Sequence, residues 1–206
     1  LREEISAVLP QVQPGDELLV RVESPGGLVH GYGLAASQLQ RIRDAGVPLT
    51  IAVDKVAASG GYMMACVGNR IIAAPFAVIG SIGVLAQLPN FHRLLKKHDI
   101  DFELFTAGEY KRTVTMFGEN TDKGREKFAE ELEETHDLFK QFVSSNRPAL
   151  DIAKVATGEI WYGRKALDVG LVDELQTSDA FVQGRLADRD VFEVKFVFKK
   201  NWQQKL

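Results

Sequence analysis

The sequence predicts an α/β fold with a mainly parallel sheet, because strand and helix patterns alternate along most of its 206 residues. Residues 18–22, 49–53 and 70–74 are apolar runs that contain many β-branched side chains. Their near-continuous hydrophobicity is typical of parallel strands that are covered on both faces. Helical patterns separate these runs, and such alternation favours a layered architecture in which helices pack on the sheet.

The predicted helices follow from hydrophobic spacing and from residues that end helices. The helix after the first strand has apolar positions along one face and ends at Gly46 and Pro48. Residues 62–67 predict a short buried helix, and Asn90 is expected to cap another short one. The longest helix is predicted over residues 121–144, where an apolar stripe faces the protein and a run of glutamates faces solvent.

Two further strands are predicted outside this alternation. Residues 102–105 have the composition of a strand, and residues 191–198 alternate apolar and charged side chains, which predicts a half-buried strand. Residues 199–206 are expected to form surface or interface. Neither repeats nor linker-like composition interrupt the chain, so we predict a single domain over residues 1–206, with residues 191–206 as a C-terminal strand and tail at a possible interface.

Composition and charge exclude several classes of function. With a formal net charge of −3 and no basic stripe, the chain is not expected to bind nucleic acid. Its single cysteine, Cys66, cannot form an internal disulfide and is expected to be buried. The sequence contains no run of about 18 apolar residues, which is the length that a membrane-spanning helix needs. Because the chain begins at Leu1 rather than Met, we expect a fragment or a processed chain that was preceded by a membrane anchor or targeting signal.

Ser59 is the first candidate for a catalytic residue. It stands between Ala58 and a pair of glycines, Gly60 and Gly61, directly after an apolar run and directly before the short buried helix. A serine on a tight strand-to-helix turn has an exposed hydroxyl, and the next backbone N–H is free to point at a substrate oxygen. The same small residues also suit close packing without catalysis, so other parts of the chain have to distinguish the two interpretations.

Four turns of small residues follow predicted strands, and Ser59 lies in one of them. The turns occupy residues 24–27, 59–61, 80–83 and 108–111. Because ligands bind at the carboxyl ends of strands in open α/β sheets, we expect such turns to converge. Glycines in the first turn would let backbone N–H groups approach a substrate oxygen, although a plain tight turn needs no function.

A nucleophilic Ser59 needs a general base, which would be a histidine or a lysine. The four histidines are expected on the surface and form no convincing Ser/His/Asp order, and His30 alone lies near a candidate turn. A lysine can act as the base when burial lowers its pKa. Lys111 follows a predicted strand, and Lys55 precedes Ser59 by four residues. The residues alone do not decide between a catalytic lysine and a solvated one.

Five strings in this order resemble the signal peptide peptidase A (protease IV) family of serine–lysine peptidases. The likeness extends over residues 18–175 and is closer to the family's shorter, SohB-type members. Each string alone is a weak signal, whereas the five together are a strong one. The strings are Glu-Ser-Pro-Gly-Gly at 23–27, Ala-Ala-Ser-Gly-Gly-Tyr at 57–62, Gly-Ser-Ile-Gly-Val at 80–84, Gly-Glu-Tyr-Lys at 108–111 and Gly-Leu-Val-Asp at 170–173.

The resemblance implies a role for each matching residue. Ser59 corresponds to the family's nucleophile, and Lys111 corresponds to the general base. Ser81 corresponds to a serine that hydrogen-bonds the lysine amine. Gly27 corresponds to the oxyanion-hole glycine, and the N–H of Gly60 would be the second donor. No matching position departs from the family pattern, and the resemblance implies no metal or organic cofactor.

The resemblance also implies a fold, an assembly and a location. The family's fold is similar to that of the Clp protease and crotonase superfamily, with repeated ββα units that assemble into rings. In half-size members the serine and the lysine of one active site come from neighbouring subunits, which implies a homo-oligomer in which Ser59 and Lys111 of one chain do not hydrogen-bond. The catalytic domain would be held at the bacterial inner membrane, on its periplasmic side, and would cleave signal peptides or other unfolded hydrophobic segments.

Two alternatives belong to other classes of function. A crotonase-type enzyme would use the same glycine turns to hold an acyl-CoA thioester oxygen, but Ser59 and Lys111 would then need no role. A non-catalytic scaffold would bind peptides without cutting them. Four apolar side chains near the turns would either line substrate pockets or pack in the core: Val29, Leu34, Val84 and Leu85.

Overall fold

The structure is a computed structural model that describes residues 1–197, and these pack as two compact units. The first unit comprises Leu1–Ile82 and the described residues from Phe142 onward, and the second comprises Gly83–Gln141. None of the described helices combines the length and the apolar character that crossing a membrane requires.

The described residues form seven strands, eight α-helices and one short 3-10 helix at Leu9–Gln11. In chain order the strands are β1 (Leu18–Arg21), β2 (Leu49–Val53), β3 (Val56–Ala58), β4 (Arg70–Ala73), β5 (Val78–Gly80), β6 (Ile160–Tyr162) and β7 (Glu174–Leu175). The helices are α1 (Arg2–Val8), α2 (Val29–Asp44), α3 (Gly60–Ala65), α4 (His92–Lys97), α5 (Asp122–Asn146), α6 (Ile152–Val155), α7 (Gly163–Asp168) and α8 (Ser178–Arg185).

The first sheet is entirely parallel and has the strand order β1-β2-β4-β7. Leu18 pairs with Leu49 and Ile51 pairs with Ile71, so the three strands that the sequence predicts lie side by side. Every residue of β2 is buried, which explains why its sequence is apolar without alternation. The predicted α/β class with a mainly parallel sheet is therefore confirmed.

A second, smaller sheet has the order β3-β5-β6. β3 and β5 are parallel and β6 is antiparallel to β5, while Ser24 extends this sheet through an isolated parallel bridge to Ala57. The chain thus passes from the first sheet to the second after β1, after β2 and after β4. Helices α2 and α3 follow the first two of these passages, and this repetition is the ββα unit that the resemblance implies.

The core of the first unit combines the first sheet with helices α2 and α3. Leu39 and Ile42 of α2 are fully buried, as is Tyr62 of α3, and each large apolar side chain removed from water contributes about 1.5–3 kcal/mol. The Tyr62 hydroxyl donates to the Leu171 carbonyl at 2.8 Å, so its polar atom is not left unpaired. Cys66 is buried as predicted, and burial raises the pKa of its thiol to about 12.

The helix predictions agree with the structure to within a few residues. The helix predicted over residues 121–144 is α5, and the helix predicted over residues 62–67 is α3, which starts two residues earlier. Asn90 lies one residue before the N-cap of α4, and its Oδ1 accepts the N–H of His92 at 3.2 Å.

Two predicted strands are wrong. Residues 102–105 have no regular secondary structure, and residues 191–197 do not form a strand either. Strand-like composition is not enough, because a strand also needs a partner that completes its ladder of hydrogen bonds. Side chains hold the second segment instead: the N–H of Phe196 donates to Glu4, and Glu193 lies 3.7 Å from Arg21. The remainder of the predicted strand and tail, residues 198–206, lies outside the described residues.

Candidate active site

Three turns meet at one edge of the second sheet, where its parallel strands end. Ala58 of β3 pairs with Gly80 of β5, so Ser59 and Ser81 follow these strands at neighbouring positions. The bridge to β3 places Ser24 on the other side of the same strand. Because parallel strands have their carboxyl ends at the same edge, the turn after Ser24 joins the other two there. Three of the four turns that the sequence singles out therefore lie at one edge, whereas the fourth, at residues 108–111, belongs to the second unit.

Ser59 adopts a strained backbone conformation between β3 and α3. Its φ of 52° and ψ of −120° lie in a region that non-glycine residues rarely occupy and that costs about 1–3 kcal/mol. Two hydrogen bonds hold it there: its N–H donates to the Gly80 carbonyl at 2.7 Å, and its carbonyl accepts the Met63 N–H at 3.0 Å. Its hydroxyl makes no hydrogen bond with described residues of the first unit. A serine on such an elbow has its hydroxyl available for reaction.

Ser81 has a positive φ of 51°, close to the φ of Ser59. Among residues 1–197, three non-glycine residues have positive φ, namely Ser59, Ser81 and Asp99. The N–H of Ser81 donates to the Glu159 carbonyl at 2.6 Å, which fixes the turn at the end of β5. Two of the three strained residues are thus the serines that the sequence singles out. Strain of this kind concentrates at functional sites.

The turn after Ser24 supplies two glycines that pack directly on the Ser59 elbow. Gly26 has a φ of +94°, and a Cβ at this position would lie 2.7 Å from the Ser59 Cβ and 2.9 Å from the Gly60 nitrogen. Only glycine permits both this conformation and this approach. In the part of the chain that the structure describes, the N–H groups of Gly27 and Gly60 donate no hydrogen bond. Both donors are therefore available to a negatively charged oxygen.

Tyr32 on the first turn of α2 contacts this turn and the elbow, although no pattern in the sequence singles it out. Its hydroxyl donates to the Gly26 carbonyl at 3.0 Å and lies 2.6 Å from the Ser24 Oγ. Its ring fills the space in which a side chain at Gly27 or Gly60 would stand. The available signal was indirect: glycines without Cβ atoms leave a slot, and an aromatic residue in the next helix can fill it.

Lys111 lies in the second unit, on an exposed turn between α4 and α5. The two residues before it contact α5. Glu109 forms an ion pair with Lys123 at 2.5 Å. The centroid of the Tyr110 ring lies 5.7 and 5.6 Å from the ammonium groups of Lys123 and Lys127. The hydrogen bond from Lys123 lowers the pKa of Glu109. Lys111 Nζ forms neither a hydrogen bond nor an ion pair with described residues of this unit. Its amine is therefore not used by the local structure.

The irregular segment that carries Lys111 is held by a few specific contacts. The Asn90 side-chain amide donates to the Thr115 carbonyl at 2.9 Å. The Phe117 ring packs against both Phe91 and Phe102, with centroid distances of 6.0 and 5.8 Å. Such pairs stabilise by about 0.5–1.5 kcal/mol beyond their buried area.

The structure also places the alternative bases that the sequence offers. Lys55 precedes β3, so it lies at the opposite end of this strand from Ser59, and it pairs with Glu23 at 3.0 Å. His30 is exposed on α2, and the other histidines belong to the second unit. Within residues 1–197, no group of three or more His, Cys, Asp or Glu side chains could hold a metal ion.

An α/β protein that presents a serine on a strained elbow beside two unpaired backbone N–H groups fits the class of hydrolytic enzymes that act on acyl groups. Comparison with known families agrees with this class. Residues 41–191 match the family model described as Peptidase family S49, and residues 1–39 match Peptidase family S49 N-terminal. The chain belongs to peptidase family S49 and is of the SohB type.

Individual relatives support the SohB type. The chain is 63% identical over 201 residues to "Probable protease SohB" of Haemophilus influenzae, which covers 98% of this chain and 57% of the relative. It is 56% identical over 200 residues to "Probable protease SohB" of Buchnera aphidicola subsp. Acyrthosiphon pisum, covering 97% of this chain and 60% of the relative. "Protease 4" of H. influenzae is 29% identical over 160 residues, which are 77% of this chain and 26% of that protein. The chain spans about three fifths of the length of its SohB relatives.

Proposed function

We propose that the chain is a serine endopeptidase in which Ser59 is the nucleophile and Lys111 the general base. The observation that carries the proposal is the strained elbow at Ser59, with its unpaired hydroxyl and the unpaired N–H groups of Gly27 and Gly60. The membership of the chain in a peptidase family supports the proposal. The acyl-CoA and scaffold alternatives have no comparable support.

The proposed reaction is acyl transfer through a covalent intermediate. Neutral Lys111 accepts the Ser59 proton as the hydroxyl oxygen attacks a peptide carbonyl, and Ser81 holds the lysine amine in place. The N–H groups of Gly27 and Gly60 stabilise the tetrahedral oxyanion, at about 3–4 kcal/mol for each donor. Lys111 then returns the proton to the leaving amine as the carbon–nitrogen bond breaks. Water hydrolyses the acyl-enzyme, so the chemistry needs no metal or organic cofactor.

The proposed substrates are cleaved signal peptides or other unfolded hydrophobic segments. Leu28 and Val29 follow Gly27 directly, and both are exposed, with Leu28 at 73%. Leu34 on the same helix is exposed as well, so these side chains are not core residues and are available to an apolar substrate. Substrates of this kind are generated at the bacterial inner membrane, and we place the catalytic domain on its periplasmic side.

The proposed assembly is a homo-oligomer whose active sites are shared between subunits. The second unit exposes several large apolar side chains, among them Leu85 at 78% and Phe105 at 87%. Exposed apolar side chains in this number offer a surface on which an interaction partner can bury them. We propose that a second copy of the chain covers it and that this contact brings Lys111 of one copy to Ser59 of another.

Hydrolysis of an unfolded protein by single variants tests the proposed dyad. Fluorescently labelled casein is the substrate, and we expect Ser59→Ala and Lys111→Ala each to lower kcat by at least about 1000-fold. Lys55→Ala is the matched control, because it removes the alternative lysine and should retain wild-type activity. A fluorophosphonate probe should label Ser59 in the wild-type protein. Labelling of another residue, or hydrolysis that survives Ser59→Ala, would overturn the proposal.

A further inference from the structure

We infer that Tyr32 is a positioning residue that fixes the direction of the Gly27 N–H. The inference rests on the proposed function, because the Gly27 N–H is one of the two proposed oxyanion donors. It concerns the hydroxyl of Tyr32 rather than its ring, since it is the hydroxyl that contacts the backbone of the turn.

The hydroxyl of Tyr32 belongs to a closed cycle of three hydrogen bonds around Gly26. A carbonyl can only accept, so the single proton of the Tyr32 hydroxyl goes to the Gly26 carbonyl, at 3.0 Å. The Ser24 hydroxyl must then be the donor in its 2.6 Å contact with the Tyr32 oxygen. The Gly26 N–H closes the cycle by donating to the Ser24 Oγ at 3.2 Å. Each donor in the cycle has one acceptor, and such cycles strengthen cooperatively.

The cycle controls the Gly27 N–H because both groups belong to one peptide plane. The Gly26 carbonyl and the Gly27 N–H are the two ends of a single planar unit, and no peptide bond among the described residues is cis. In a trans peptide these two groups point in opposite directions. The bond from Tyr32 to the Gly26 carbonyl therefore also sets the direction in which the Gly27 N–H points.

This peptide plane needs an external hold because it lies between two glycines. Neither Gly26 nor Gly27 has a Cβ to restrict rotation, and the Gly27 N–H has no hydrogen-bond partner among residues 1–197. Ser24 is itself fixed on β3, since its N–H donates to Val56 at 2.9 Å and its carbonyl accepts from Ala58 at 3.0 Å. The cycle thus holds the Gly27 N–H in a fixed direction relative to β3.

Steady-state kinetics of Tyr32→Phe test this role, with casein or a fluorogenic peptide as substrate. The variant keeps the ring against Gly60 and removes only the hydroxyl. We expect kcat to fall about 10- to 100-fold with KM unchanged, which is less than the 100- to 1000-fold loss of a whole oxyanion donor. Inhibition by a peptide aldehyde, whose tetrahedral adduct carries the same oxyanion, should weaken in proportion. Ser37→Ala is the matched control, because it removes another hydroxyl that donates to a carbonyl on α2.

A double-mutant cycle with Ser24→Ala separates positioning from a general loss of stability. The hydroxyls of Tyr32 and Ser24 belong to the same cycle of hydrogen bonds, so losing the second should add little once the first is gone. The kcat of the double variant should therefore be close to that of Tyr32→Phe alone. A Tyr32→Phe variant that has a lower thermal midpoint but wild-type kcat would overturn the inference and leave a structural role only. The proposed function is tested separately by Ser59→Ala. If Ser59→Ala stays active, the proposed function is wrong. If Ser59→Ala is inactive while Tyr32→Phe has wild-type kcat, only the role of Tyr32 is wrong.

Discussion

At the scale of single residues, the site is defined by backbone groups that approach more closely than side chains would permit. A Cβ at Gly61 would collide with the Ser24 carbonyl oxygen, and a Cβ at Gly60 would collide with the Tyr32 ring. The glycine pair after Ser59 is compatible, in the sequence, with either packing or catalysis. In the structure these two roles are not alternatives, because the close packing of the glycines brings the turn after Ser24 against the elbow at Ser59.

Gly61→Ala is therefore expected to damage both stability and activity. The added methyl group meets backbone rather than a flexible side chain, so the bridge between Ser24 and β3 has to shift, at a cost of about 1–3 kcal/mol. Thermal unfolding and casein hydrolysis measure the two effects. Gly31→Ala is the matched control: nothing lies within 4 Å of its added methyl group, and alanine favours the helix. Wild-type stability and activity in Gly61→Ala would show that the close approach is not required.

At the scale of secondary-structure elements, the sequence predicts the first sheet well and the second sheet hardly at all. β1, β2 and β4 are apolar runs of four or five residues, and burial on both faces makes such runs visible in composition. β5 and β6 have three residues each and pair across about 80 positions of sequence, as Val78 does with Tyr162. No local pattern marks a strand that exists only because a distant partner completes it.

The same distinction applies to the candidate site. A general expectation that turns after parallel strands lie together could be formed from the sequence, but β3 and β5, which Ser59 and Ser81 actually follow, belong to the second sheet and were not predicted. The part played by Tyr32 could not be predicted, since it depends on which carbonyl a side chain on α2 reaches. The predicted strand at residues 102–105 failed for a related reason, as hydrophobic composition does not reveal whether a partner strand is present.

An ion pair between elements gives the fold a measurable dependence on pH. Asp173 accepts hydrogen bonds from the Ile71 N–H at 2.7 Å and from Arg147 at 2.6 and 2.8 Å, and so ties β4 to the segment before β7. Burial acts to raise the pKa of Asp173, but these hydrogen bonds together hold it below its ordinary value. The carboxylate thus stabilises the fold above the ordinary pKa of about 4, and this contribution is lost as the pH falls through the lowered pKa.

Asp173→Asn is expected to lower the free energy of unfolding by about 1–2 kcal/mol at pH 7, a range reduced for partial exposure. Because the wild-type carboxyl becomes protonated in acid, the difference between variant and wild type should shrink as the pH falls below about 4. Denaturant titrations at pH 7 and pH 3 measure it. The exposed Asp188, which lies 4.0 Å from Arg189, provides the control Asp188→Asn. A difference that is the same at both pH values would contradict the assignment.

At the scale of the whole molecule, the proposed dyad joins residues of two separate units. Ser59 belongs to the first unit and Lys111 to the second, and the backbone of each is held within its own unit, Lys111 by its N–H, which donates to the Gly108 carbonyl at 3.2 Å. The elbow, the oxyanion donors and Ser81 are all supplied by the first unit. The lysine is the single proposed component that comes from elsewhere, so it is the component that a neighbouring subunit can provide.

Mixing two inactive variants tests whether the site is shared. If Ser59 of one copy uses Lys111 of the next, co-expressed Ser59→Ala and Lys111→Ala chains will form some sites in which both residues are intact. Random mixing in a head-to-tail ring makes that fraction about one quarter, since each residue is intact in half of the chains. Casein hydrolysis should therefore recover to about a quarter of the wild-type rate, while each variant alone stays inactive.

A site contained within one chain gives no recovery, because every chain then lacks one of its own two residues. A double variant, Ser59→Ala with Lys111→Ala, co-expressed with either single variant is the control and should restore nothing, since one residue is then absent from every site.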